Sequence, residues 1–213
     1  MKYSDLTSLV GGLVCFDLPL IVQAFPDRRP AILLQLSRWA AQGKVIPLRR
    51  GMYTLPDRGR SVSCDPAVLA QHLYRPSYLS GLWALGFYDL IPERVVMYTS
   101  VTTRQPKRFD NPCGFFEYRH LKQPFFFGSQ QVAVSGSTVP IARPEKALLD
   151  HWHLSAGEWT VDRLAEMRYQ NVAAVDHSLL QEYAARFKRP RLLRAADRWI
   201  RLAQECDAGE LIP

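Results

Sequence analysis

The spacing of apolar positions along this chain changes character four times. It is helical to about residue 42, strand-like over 45–55, helical again over 66–86, strand-like over 95–142 and helical from 143 onward. Residues 4–14 predict a short helix that Ser4 or Asp5 caps and Gly11-Gly12 ends. Asp17 is the expected N-cap of a second helix, over about 18–25, and Pro19 is tolerated in its first turn. Pro26-Asp27 forms a turn, and Asp27 is expected to cap a third helix over 28–42. There Ile32, Leu36, Trp39 and Ala40 recur at i, i+4, i+7 and i+8 and make one buried stripe. The opposite face carries Ala31, Gln35, Arg38 and Gln42, with Arg28 and Arg29 at the N-terminal end. Gly43-Lys44 ends the helix. Residues 45–48 read as an edge strand, since Pro47 is acceptable only at an edge. Arg49-Arg50-Gly51 is the turn, and residues 52–55 are the return strand.

Three helices followed by a hairpin is the order of a winged helix-turn-helix. The polar, turn-rich stretch 56–61 then marks a domain boundary, giving a unit at 1–58 and a second at 59–213. In the second unit, helices are expected over 66–74 and from Arg75-Pro76 to about Gly86. Strands are expected over 95–101, 114–119, 130–134 and 138–142, with the 104–108 stretch as a basic loop. Hairpin connections would make this a four- or five-stranded, mostly antiparallel sheet. Pro144 opens a helix, and others follow near 161–168 behind Thr160, over 177–186 and over 191–204. The fold class is therefore α+β: an N-terminal winged helix-turn-helix, then a domain with a mostly antiparallel sheet and several helices.

Charge sharpens this picture. The chain of 213 residues has a net charge of +7. Residues 1–60 hold nine lysines and arginines against four aspartates, whereas the other 153 hold 18 basic against 16 acidic residues. Most of the surplus thus sits on the helix-and-hairpin unit, where an anionic partner would be gripped. Double-stranded DNA is the expected partner. Arg28, Arg29, Gln35 and Arg38 would face the major groove, Lys44 would follow them, and Arg49 and Arg50 would meet phosphate or the minor groove. The rival readings are an ordinary amphipathic helix and a solvated turn. The four cysteines lack the close spacing of a zinc or redox motif. Met1 to Asp5 opens no long apolar core, and no apolar run reaches the roughly 18–20 residues of a membrane span. A reduced, cytoplasmic protein is expected.

Three stretches carry a resemblance to a known family. They are the hairpin stretch from Gln42-Gly43-Lys44 to Gly51-Met52-Tyr53, the small-residue stretch Pro76-Ser77-Tyr78-Leu79-Ser80-Gly81-Leu82-Trp83-Ala84-Leu85-Gly86, and Ile141-Ala142-Arg143-Pro144-Glu145-Lys146-Ala147-Leu148-Leu149-Asp150. In this order they resemble the AbiEi family, the antitoxin and regulator components of type IV toxin–antitoxin systems. The resemblance implies an N-terminal winged helix that binds inverted repeats in its own promoter and represses it. It also implies a C-terminal domain that opposes a nucleotidyltransferase-type toxin, with no stable toxin complex assumed. No cofactor follows from it.

Catalysis finds little support. Glu145, Lys146, Asp150, His151 and His153 crowd one stretch, but Glu145 and Lys146 diverge on a helix, as do the two histidines. Metal-binding pairs on a helix usually sit four apart. Lys146 and Asp150, four apart, read as a local ion pair. No phosphate-binding glycine loop or nucleophile elbow is present. Phe125-Phe126-Phe127 is either a stacking platform or, more simply, a buried strand. Arg191, Arg194, Arg198 and Arg201 share a helix face that either extends a DNA contact or, more simply, is solvated. Besides the DNA-binding antitoxin, two rivals stand: an interaction module that neutralises a partner toxin without DNA recognition, and a nucleic-acid enzyme centred on the C-terminal sheet.

Overall fold

The computed structural model describes residues 1–61 and 64–207, and it is mixed α and β. The chain opens with α1 (Tyr3–Val10), β1 (Phe16–Asp17), α2 (Leu18–Ala24), α3 (Arg29–Ala41), β2 (Ile46–Arg49) and β3 (Met52–Thr54). The local causes are largely those expected. Asp17 caps α2 by accepting from the Leu20 amide at 3.1 Å. Gly43 takes φ +67 just past α3, which lets the Lys44 amide reach back to the Trp39 carbonyl at 2.8 Å.

Two expected caps are not made. α1 begins before Ser4, so Asp5 accepts the Lys2 amide from inside the first turn. Asp27 instead faces the amino group of Met1 at 2.9 Å, and Arg28 holds the position before α3 with no side-chain cap. The two-residue strand β1 is too short for a periodic signal. It pairs antiparallel with β3 and turns the hairpin into a three-stranded sheet of order β1-β3-β2. Leu6, Val10, Phe16, Ile21, Ile32, Leu36, Trp39 and Leu55 form the core of this unit, with Ala40 half-buried beside it.

The larger part comprises α4 (Pro66–Leu73), β4 (Ser77–Leu79), α5 (Gly81–Phe87), β5 (Met97–Thr102), β6 (Lys107–Asn111), β7 (Gly114–His120), β8 (Ser129–Val134), β9 (Ser137–Ala142), α6 (Pro144–Leu154), α7 (Val161–Ala165), α8 (His177–Arg186) and α9 (Pro190–Asp207). Its sheet has six strands in the order β6-β7-β5-β4-β9-β8. Three pairings are antiparallel and two, β4 with β9 and β5 with β7, are parallel, so hairpins alone do not connect it. Residues 77–79, expected to begin a helix, are instead a central strand. Tyr78 and Leu79 are buried between β5 and β9, and Gly81 at φ +58 delays the helix to α5. The 104–108 stretch is not all loop, because Lys107 and Arg108 begin the edge strand β6.

The Phe125–127 run is not a strand. It is a packed turn, in which Phe125 stacks on Phe187 at 4.8 Å and Phe127 meets Tyr183 edge-on at 5.1 Å. The hairpin lies against this part of the molecule. Leu48 and Met52 belong to the larger core, β2 runs beside β6, and Asn111 Nδ2 donates to the Leu48 carbonyl at 3.1 Å.

Candidate nucleic-acid interface

Arg28, Arg29, Arg38, Lys44, Arg49 and Arg50 are all exposed, and none forms an ion pair among the described residues. Gln35 is half-buried on the flank of α3 rather than at its centre. Arg29 and Arg38 stand nine residues apart on α3, about 14 Å along its axis. They therefore mark the two ends of the helix. Lys44 is partly spent on packing, since its ammonium lies 5.7 Å from the Tyr3 ring and its carbonyl accepts the Tyr3 hydroxyl at 2.9 Å.

The outermost line of α3 differs from the polar face expected. Ala31, Leu34, Arg38 and Ala41 follow one another at i, i+3, i+7 and i+10, and Leu34 is 54% exposed with Leu33 at 40%. Arg38, in the last turn, is thus the one long donor on an otherwise small or apolar line. In a groove such a surface reads methyl groups rather than hydrogen-bonding edges.

The hairpin turn is tighter than expected. Arg49 pairs with Met52 inside the sheet, leaving Arg50 and Gly51 as the turn, with Gly51 at φ +72 and its carbonyl accepting the Leu18 amide at 2.8 Å. Both arginines also line a cleft of about 740 Å³ that faces the larger sheet. Arg75, Arg104, Lys107 and Arg108 reach the same cleft, a convergence that sequence spacing alone does not reveal.

Comparison with known proteins finds no matching family model and no matching curated protein.

The cluster weighed as a catalytic centre is occupied by packing. Lys146 and Asp150 form an ion pair with both side chains fully buried, and Asp150 Oδ2 also accepts the Ser80 hydroxyl at 2.7 Å and the Tyr78 hydroxyl at 3.2 Å. Burial pushes the Lys146 ammonium down and the Asp150 carboxyl up, and each charge opposes the shift of the other. Glu145 Oε1 accepts the Asp176 amide at 2.8 Å. His151 packs on Trp159, and His153 lies between Phe125 and Phe187. Burial, with nearby arginines, lowers both imidazoles to about 4. Burial also raises the Cys15 thiol to about 11, so it is no ready nucleophile. Among the described residues, no three His, Cys, Asp or Glu side chains converge on a metal-sized site, and no helix is long and apolar enough to cross a membrane.

Three of the four arginines of α9 are engaged within the chain, although Arg194 and Arg201 are exposed. Arg191 donates to the carbonyls of His153, Ser155 and Gly157 at 2.6, 3.1 and 2.8 Å. Arg194 and Arg198 both reach Glu158, and Arg198 also donates to the Trp159 carbonyl at 2.8 Å. Of the four, Arg201 alone stays fully exposed without an ion pair among the described residues. The other three fasten the 153–159 segment to α9.

Proposed function

We propose that this chain is a DNA-binding transcriptional repressor whose first unit is a winged helix-turn-helix. On this reading it serves as the antitoxin of a type IV toxin–antitoxin operon and represses its own promoter at an inverted-repeat operator. The observation that carries the DNA reading is the exposure of Arg28, Arg29, Arg38, Arg49 and Arg50, without acidic partners, on one helix and the hairpin behind it. These residues belong to the stretch that holds most of the net charge. The antitoxin assignment leans on the resemblance of the three sequence stretches to the AbiEi family. Its functional partner is then a nucleotidyltransferase-type toxin, opposed without a stable complex, and the protein acts in the cytoplasm and is not an enzyme.

A mobility-shift titration against the upstream DNA of its own gene tests the reading. Arg49→Ala/Arg50→Ala should weaken binding at every sequence and reduce the slope of log affinity against log salt by about 2. Arg38→Ala should cost specificity, shrinking the ratio of operator to random DNA affinity. Unchanged operator affinity in the hairpin variant sinks the wing assignment.

One observation favours a second reading, in which the first unit docks on a partner protein without DNA recognition. That observation is the exposed apolar pair Leu33 and Leu34 on α3. Leu34→Lys separates the two. It should keep general duplex affinity through its added charge while lowering operator preference if α3 enters a groove, but it should abolish capture of the neighbouring gene's product if protein docking is the role.

A further inference from the structure

The cleft between hairpin and sheet is walled by three separate stretches of chain. They bring Arg49 and Arg50, Arg75, and Arg104, Lys107 and Arg108 to one place, against Asp110 as the single lining carboxylate. Of these six cations only Arg108 has an ion-pair partner among the described residues, Glu117. The other five have none among the described residues, and Arg75 and Arg104 are held by uncharged groups. Arg104 lies 4.5 Å from the Tyr74 ring centroid and donates to the Arg75 carbonyl at 3.1 Å. Arg75 donates to the Gln71 carbonyl at 3.0 Å and faces His72 Nδ1 at 3.0 Å. Burial, with the Arg75 charge beside it, lowers the pKa of that imidazole from its ordinary value.

Five unneutralised cations around one concavity repel one another, and a bound anion relieves that repulsion. Guanidinium groups grip phosphate oxygens two at a time, and four of the five are arginines. The volume of about 740 Å³ is that of a small-molecule site. A duplex is able to lay one backbone along the rim of such a cleft but not to enter it. We propose that the cleft binds a small anion with two or more adjacent phosphates. Arg49 and Arg50 belong both to this cleft and to the DNA face, so the bound anion competes with DNA and acts as an inducer. The binding stands by itself, whereas the induction rests on the DNA reading.

The test is calorimetric titration of the full chain with inorganic tripolyphosphate, ATP and GTP at near-physiological salt. Saturable one-to-one binding is expected. Arg104→Glu/Lys107→Glu should weaken it by about 30-fold or more, the loss of two charge-assisted contacts. Lys122→Glu/Arg201→Glu makes the same change in net charge on exposed residues elsewhere and should weaken it less than about threefold. Tighter binding of ATP or GTP than of tripolyphosphate identifies a nucleotide as the source, and equal binding identifies the phosphate chain itself. If the reversed pair does not fold, Arg104→Gln/Lys107→Gln takes its place.

Saturating tripolyphosphate should then release promoter DNA from the native chain but not from the cleft variant. No saturable binding of any of the three anions overturns the proposal, as does equal weakening in both variants. Loss of promoter affinity in the cleft variant without anion binding in the native chain assigns the groove to DNA backbone and likewise overturns it. A chain that takes the anion but shifts no DNA faults the DNA reading and leaves this site standing.

Discussion

Lys146 carries a full charge to a place that water does not reach, and it is tolerated because Asp150, Ser80 and Tyr78 complete a closed set of polar contacts. Three aromatic rings, Tyr78, Phe127 and Phe187, stand 5.0–5.6 Å from its ammonium. Lys146→Met leaves a buried carboxylate without its counter-charge and should cost about 3–5 kcal/mol in urea unfolding. Lys146→Met/Asp150→Leu should recover a large part of that loss, because the orphaned charge is gone. The i, i+4 spacing made the ion pair legible in the sequence. Its depth was not legible, since burial comes from β4 and the 125–128 turn, far away in the chain.

The neighbouring histidines make a prediction of their own. His151 and His153 titrate near 4 in the folded chain, against an ordinary value of 6.5. Between those limits the unfolded chain binds more protons. Their contribution to stability is therefore complete above about pH 6.5 and is lost as pH falls toward 4. Chemical unfolding at pH 7 and pH 4.5 should show this fall, and His151→Gln/His153→Gln should flatten it.

At the scale of elements, local chemistry and tertiary demand divide the credit. Asp17, Gly43, Pro144 and Thr160 announced helix limits by capping and by φ preference, and the structure uses each of them. Residues 75–79 carried no such announcement. Their fate was set by two neighbouring strands that no local pattern reveals, so a helix start was expected where a central strand lies. The same limit applies to α9, whose arginine spacing was plain while the carbonyls awaiting it were not. Arg191→Ala removes a three-carbonyl clasp and should lower stability by about 1–3 kcal/mol. Arg201→Ala should change it by less than about 0.5 kcal/mol. Thermal unfolding of the two variants side by side checks the contrast.

Across the whole molecule, the exposed cations on α3 and the hairpin could be named from the sequence, because cations beside an amphipathic stripe leave a linear trace. Arg75, Arg104 and Lys107 could not, because only folding brings them beside Arg49. Leu48 and Met52 join the hairpin to the larger core, so a cavity there should be felt in both parts. Leu48→Ala should cost about 2–5 kcal/mol. It should also lower the transition reported by Trp39 in the first core together with that reported by Trp152 and Trp199 in the second.

The same two side chains bear on how the molecule can be taken apart. The hairpin shows its arginines outward and lends Leu48 and Met52 to a core that residues beyond it complete. A chimera that grafts residues 1–58 onto a foreign body would thus expose two apolar side chains and leave the Asn111 amide of the donor without its carbonyl. Transfer of this N-terminal stretch to another body would succeed only if the recipient supplied a matching socket at the start of β6.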